Sequence, residues 1–274
     1  NILRHEKGFE TTEIAIGDNL LIHPWIDKLV RLNKSFIVRR GLSIKERLIA
    51  SKHMSEYIHY AISEKKESVW IAQREGRAKN SDDRTQDSLL KMLALYPEDK
   101  SFIESLKELN LIPLSISYEY DPCDYLKAKE FQQKRDNPDF KKTQRDDLLN
   151  MEIGILGKKG NVVFRFGNCI NDELDKITEP DKRLQPEIAA QIIDKEIHRN
   201  YEIFPCNYIA YDLFYKETRF EDKYTSEQLE EFKDYLDKQI KKIDLDYIDY
   251  DFVWDKMLEM YSNTLKNYLT TIES

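Results

Sequence analysis

Cysteine is scarce in this 274-residue chain: Cys123, Cys169 and Cys206 are its only three, far apart and odd in number. Without a CxxC pair, neither a zinc site nor a disulfide framework is indicated, no bound metal is expected, and a reducing, cytoplasmic setting fits best. No apolar run approaches the ~20 residues that span a bilayer, and no signal peptide is visible. The motifs GxxxxGK(S/T), GxGxxG and GxSxG are missing, which argues against P-loop, dinucleotide-binding and serine-hydrolase chemistry. A pI near 5.4 and the lack of a recognisable module disfavour a nucleic-acid partner. Internal repeats and long disordered linkers are also missing.

What is present is charge and aromatic bulk. Charged residues make up 34% of the chain and hydrophobic ones only 41%, so its 16 Tyr and 12 Phe must do much of the packing. The formal net charge is −8, but it is unevenly spread. Residues 28–52 hold eight basic side chains (Lys28, Arg31, Lys34, Arg39, Arg40, Lys45, Arg47, Lys52) against the single acid Glu46, a local excess of +7. Such a patch on an acidic protein attracts anionic ligands or a membrane surface, or it is a solvated helix face. Residues 217–260 carry fourteen acidic and seven basic side chains, a net −7.

The pattern of apolar residues predicts an α/β fold, a mainly parallel or mixed sheet flanked by helices, with a helical acidic C-terminal region. Strands are expected at 13–16, 36–39, 69–73, 111–120 and 162–166. Helices are expected at 20–32, 43–63, 85–95, 101–109, 127–135, 146–156, from about Pro186 to Asn200, at 206–214, and as a helix-turn-helix from Thr225. Ser43 with Glu46 three residues later forms a capping-box signature, and Leu48, Ile49, Ile58 and Ile62 supply apolar helix positions. Two domains are expected: an α/β domain over 1–215 and a helical extension, 216–274, packed on it.

Two strand ends carry the chemistry. Val69–Lys79 reads VWIAQREGRAK, an apolar run that stops at Glu75, Gly76 and Arg77. Phe36-Ile37-Val38 likewise ends in Arg39 and Arg40, and Gly41 then breaks the run. About thirty residues and a helix separate the two strands, as in a βαβ unit whose crossover brings both strand ends to one sheet edge. Arg39, Glu75 and Arg77 would then converge where open α/β sheets bind ligands. The carboxylates after the fourth strand (Glu119, Asp121, Asp124) read as a turn or a structural network.

These segments resemble the glycerophosphate acyltransferases, which acylate glycerol 3-phosphate and lysophosphatidic acid. That family carries four ordered blocks. Phe36-Ile37-Val38-Arg39 is similar to the second, Glu75-Gly76-Arg77 to the third (Glu-Gly-x-Arg, here lacking the intervening residue), and Leu111-Ile112-Pro113-Leu114-Ser115-Ile116 to the fourth. Order and spacing agree across residues 13–120. The first block, His-x4-Asp, falls upstream of Asn1 when counted back from Arg39, so the catalytic His and Asp are expected outside this chain. His5 and Glu10 have the spacing but lie too close to Arg39, and Glu10 is not the expected Asp. His23 reads as a turn residue, His53 and His59 as surface or packing residues, and His198 has no evident partner.

The resemblance implies an enzyme, with no bound cofactor, that moves a fatty acyl group from acyl-CoA or acyl-carrier protein to a glycerol-phosphate or lysophospholipid hydroxyl in phospholipid synthesis. Arg39 and Arg77 would bind the acceptor's phosphate, since a guanidinium fork bonds two phosphate oxygens at once. Lys79 is an alternative to Arg77. Glu75, Gly76, Phe36 and Pro113 would position the site. Such a protein works in the cytoplasm or at the inner face of the membrane, with Leu20–Ile26 as a candidate lipid contact. The competing expectation is a non-catalytic phospholipid-binding or scaffold protein that keeps the phosphate site.

Overall fold

The computed structural model describes residues 8, 10–18, 21, 24–39, 41–76 and 78–273. In chain order its elements are β1 (Glu13–Gly17), α1 (Pro24–Leu32), β2 (Ser35–Val38), α2 (Ile44–Ser63), β3 (Val69–Trp70), α3 (Asp87–Leu93), α4 (Phe102–Glu108) and β4 (Leu114–Tyr118). Then come α5 (Asp124–Asp136), α6 (Gln144–Leu156), β5 (Val162–Phe166), α7 (Asn171–Leu174), α8 (Gln185–Arg199), α9 (Pro205–Tyr215), α10 (Ser226–Ile240) and α11 (Tyr250–Ile272). The fold is α/β as expected. Among the described residues, no helix is long and apolar enough to cross a membrane.

The chain divides into two units. One holds the described residues of Asn1–Gly76, Arg84–Ile112 and Asn168–Asp194; the other holds those of Arg77–Asp83, Pro113–Gly167 and Lys195–Ser274. The first contains a three-stranded sheet ordered β2-β1-β3, with β1 parallel to both neighbours. Parallel pairing demands a crossover between successive strands, and α1 and α2 lie in those connections. β3 is shorter than the apolar run Val69–Gln73 suggests. It pairs with β1 over Val69 and Trp70 alone, and the Gln73 carbonyl accepts instead from the Gln86 N–H at 3.0 Å.

α2 starts as its sequence dictates. The Ser43 side chain accepts from the Glu46 N–H, and Glu46 accepts from the Ser43 N–H at 3.0 Å. Its apolar first half is not core, however: Leu48 is 62% and Ile49 51% exposed. The buried stripe is Ser55, Ile58, His59 and Ala61. Ser55 Oγ (2.7 Å) and His59 Nε2 (3.2 Å) both reach the Leu93 carbonyl at the end of α3. His59 is thus a packing residue, and burial lowers its pKa.

The second unit is helical around a two-stranded antiparallel ribbon, β4 with β5, in the register Leu114↔Phe166, Ile116↔Phe164 and Tyr118↔Val162. Its core is built by Tyr125 and Ala128 of α5, Cys206, Ile209 and Ala210 of α9, Phe232 and Leu236 of α10, and Val253, Met257 and Tyr261 of α11. α9 and the C-terminal helices share this one core, so the expected boundary at 215/216 is not where the contacts divide. α9 packs in this core against α10 and α11, the helices of the expected C-terminal extension, together with α5.

Two variants grade this architecture. Ser43→Ala removes an exposed cap and should cost about 1 kcal/mol. Met257→Ala empties a fully buried position and should cost about 2–5 kcal/mol. Calorimetric melting of the two proteins checks both the magnitudes and their order.

Candidate functional site

Parallel pairing makes β2 and β3 run the same way on either side of β1, but they stop at different levels: Val38 ends β2 beside Gly17, and Trp70 ends β3 beside Ile14. Three residues of rise at about 3.3 Å each and two strand spacings of about 4.8 Å put the two ends roughly 14 Å apart. Arg39 follows β2 directly and is exposed. Phe36, three residues earlier, is half-buried and meets the Tyr57 ring of α2 edge-on at 5.2 Å, which seats β2 on that helix. At the opposite edge, the buried carboxylate of Glu13 receives the Tyr57 hydroxyl at 2.6 Å and the Lys65 ammonium. Burial pushes this carboxyl up, but the bonds from Lys65 and Tyr57 outweigh it and hold the pKa below its ordinary value. β1 and α2 are thereby clamped together at the end of the sheet remote from Arg39.

Beyond β3 the chain forms the loop that carries Glu75 and Gly76. The Glu75 N–H donates to Gln86 Oε1 at 2.6 Å. Gly76 has φ +77°, a conformation that side-chain-bearing residues rarely adopt. The neighbouring Thr85 is fixed in turn: its N–H (2.8 Å) and Oγ1 (2.6 Å) both donate to Asp194 Oδ1. Sequence reasoning missed Gln86, Thr85 and Asp194. None belongs to a recognisable motif, and their partners lie 11 and 109 residues away in sequence.

Of the expected site residues, Phe36, Arg39, Glu75 and Gly76 belong to the parallel-sheet unit. Arg77 lies outside the described residues, as do Arg40, His5 and His23. Pro113 is buried in the other unit, where its carbonyl accepts from the Gly167 N–H at 2.8 Å. The strand that follows it, β4, pairs with β5 in a separate two-stranded sheet. Lys79 lies in the other unit, where its ammonium is bound to the buried carboxylate of Glu130. His198 does have a partner, with Nε2 lying 3.1 Å from the Asp83 carbonyl.

The basic run is partly neutralised within its own unit. Arg31 pairs with Asp27, Lys34 with Glu67 and Lys52 with Glu98. Lys28, Arg39, Lys45 and Arg47 are exposed, so the positive field at this part of the surface comes mainly from them.

In the second unit, the acidic segment after β4 builds a network. Asp124 is fully buried. Its Oδ2 accepts from the hydroxyls of Tyr235 (2.7 Å) and Tyr261 (2.8 Å), and its Oδ1 from Gln239 Nε2 (2.8 Å) and the Tyr125 N–H (2.6 Å). Glu119 accepts from both nitrogens of Asn161 and ties the end of β4 to the start of β5, while Asp121 pairs with Lys127. Above the network lies a cavity of about 380 Å³ whose walls include Ala78, Ser81, Ile116, Lys127, Met260 and Tyr261.

Asp124 generates a pH prediction. Burial pushes its carboxyl up to about 7, restrained by the tyrosine hydrogen bonds and aided by the nearby Asp121. The folded state therefore holds this proton more tightly than the unfolded chain does. The group's contribution to stability is complete below about pH 4 and is lost as the pH rises towards 7, by at most about 1.4 kcal/mol per pH unit. Denaturant titrations of wild type and Asp124→Asn between about pH 4 and 8 should show the slope in the first protein and a flatter profile in the second. The chain matches no family model, no curated protein and no solved structure.

Proposed function

We propose that the chain takes part in acyl transfer from a thioester donor to a phosphate-bearing glycerol or lysophospholipid acceptor, with the acceptor's phosphate bound at the parallel-sheet edge. The observation that carries this reading is a coincidence of sequence and topology. Phe36–Arg39 and Glu75-Gly76, the segments similar to two acyltransferase blocks, lie on and after the two strands that flank the same central strand and run parallel to it. Chemistry supports it as well. An exposed guanidinium at a strand end presents paired donors to phosphate oxygens. Glu75 bears no charge suited to a phosphate, and its held backbone suits it to orient an arginine or an acceptor hydroxyl. In the family, a histidine from the first block removes the hydroxyl proton before attack on the thioester carbon.

Titration calorimetry with glycerol 3-phosphate and a lysophosphatidic acid tests the reading. Arg39→Ala should weaken acceptor binding about ten- to a hundredfold, the loss of a charge-assisted hydrogen-bond pair. Glu75→Gln should leave the dissociation constant within about threefold of wild type while impairing turnover. Unchanged affinity in Arg39→Ala would remove Arg39 from the phosphate site. Wild-type turnover in Glu75→Gln would reduce Glu75 to a surface residue. Acyl transfer from a coenzyme A or carrier-protein donor would exclude the non-catalytic lipid-binding alternative.

A further inference from the structure

Glu130, on α5, is 3% exposed and meets three ammonium groups. Lys79 and Lys134 (3.0 Å) share its Oε1, and Lys142 approaches Oε2 at 2.7 Å. They come from three segments: the loop after Gly76, the next turn of α5, and the residue before the cap of α6. One buried carboxylate therefore faces three ammonium groups. Two ammonium groups on a single oxygen repel each other, and a protein needing only a fastening for the loop requires one lysine.

The cations are also accessible. The side chains of Lys79, Lys134 and Lys142 are 28%, 50% and 24% exposed. An ammonium has three donors, so each lysine can bond Glu130 and still offer hydrogen to a second anion. Burial lowers the pKa of Lys79, and the nearby Lys134 adds to the effect against the pull of Glu130. Two of the three segments reach the cavity wall: Ala78, the residue before Lys79, and Lys127, three residues before Glu130 on α5, are among its lining residues, whereas the three lysines are not. Its 380 Å³ falls in the range of small-molecule sites.

We propose that Lys79, Lys134 and Lys142 bind phosphate groups of the acyl donor, with the rest of that donor directed into the adjoining cavity. This rests on the acyl-transfer reading for the identity of the ligand. The chemistry it requires is that of a phosphate ester with more charge than the acceptor's single phosphate, and a coenzyme thioester supplies it. Lysine suits the task because several flexible point charges adapt to phosphates that differ in position.

Coenzyme A, 4′-phosphopantetheine and glycerol 3-phosphate are titrated into wild type, Lys79→Gln/Lys142→Gln and Lys134→Gln. Lys134 is half-exposed on a helix, so its variant keeps the fold if the double variant does not. The expected result is a tenfold or greater loss of coenzyme A affinity in the double variant and a smaller loss in Lys134→Gln. Salt dependence should be shallower in both, phosphopantetheine should bind more weakly than coenzyme A, and glycerol phosphate affinity should be unchanged. Equal coenzyme A affinity in wild type and Lys134→Gln would overturn the proposal, as would a loss confined to glycerol phosphate. Because Arg39→Ala reports on the acceptor separately, failure of the lysine site and failure of the acyl-transfer reading give different patterns.

Discussion

Parallel pairing of β1 with both β2 and β3 is the constraint on which the candidate phosphate site depends. A parallel neighbour cannot be reached by a tight turn, so each connection must carry the chain back along the sheet. That return leaves every strand pointing the same way. Arg39 and the Glu75-Gly76 loop therefore both lie on the C-terminal side of strands that flank β1. Their chemistry is added afterwards by Gln86, Thr85 and Asp194, which fix the loop's backbone, and by the clamp of Glu13, Tyr57 and Lys65, which fixes β1 from the far end. The edge residues stay exposed because the structural bonds are made elsewhere.

Buried carboxylates recur as fixing points, and they are of different kinds. Glu13 and Glu130 are met by ammonium groups, and Glu130 is held at about 2 because the three lysines outweigh its burial. Asp194 accepts from Thr85, and Asp124 is met only by neutral donors. The difference has a physical consequence. A cationic partner offsets the cost of taking a carboxylate out of water, whereas neutral donors offset it incompletely. The Asp124 carboxyl is consequently pushed up to about 7, while that of Glu130 is held at about 2. Both join segments distant in sequence, for Asp124 binds α5 to α10 and α11 and Glu130 binds α5 to the 78–83 loop and the start of α6. Removing one partner strands a buried charge or dipole, so such networks specify which segments meet more than they add to net stability.

The sequence disclosed what is local. The capping box of α2 and the β2 run were legible because a few adjacent residues decide them, and the α/β class followed from apolar periodicity. Segments whose fate depends on distant partners were not legible. Val69–Gln73 has the composition of a longer strand, but edge pairing with β1 ends after Trp70. Pro113 and β4 look like another strand of the same sheet, yet β5, forty-odd residues later, offers an antiparallel partner closed by Glu119 and Asn161. Leu48 and Ile49 satisfy helical periodicity but lie outside the buried stripe. The division of units was unreadable for the same reason: the core joining α9 to α10 and α11 is a property of packed faces.

The two proposed anion sites differ in residue type, and the difference follows from what each ligand presents. A single phosphate on a small acceptor must be held in one orientation if its hydroxyl is to react. A planar guanidinium at a strand end restricts orientation, since its paired N–H groups match two oxygens. A donor with phosphates far from its reacting thioester needs attraction more than orientation at that end. Ammonium groups on long side chains supply charge without fixed geometry, and a buried carboxylate among them keeps the three from dispersing into solvent. Glu130 thus reduces the charge of the cluster while holding it in place. A protein whose net charge is −8 would otherwise repel both substrates, and concentrating cations at these two positions confines attraction to where binding is useful.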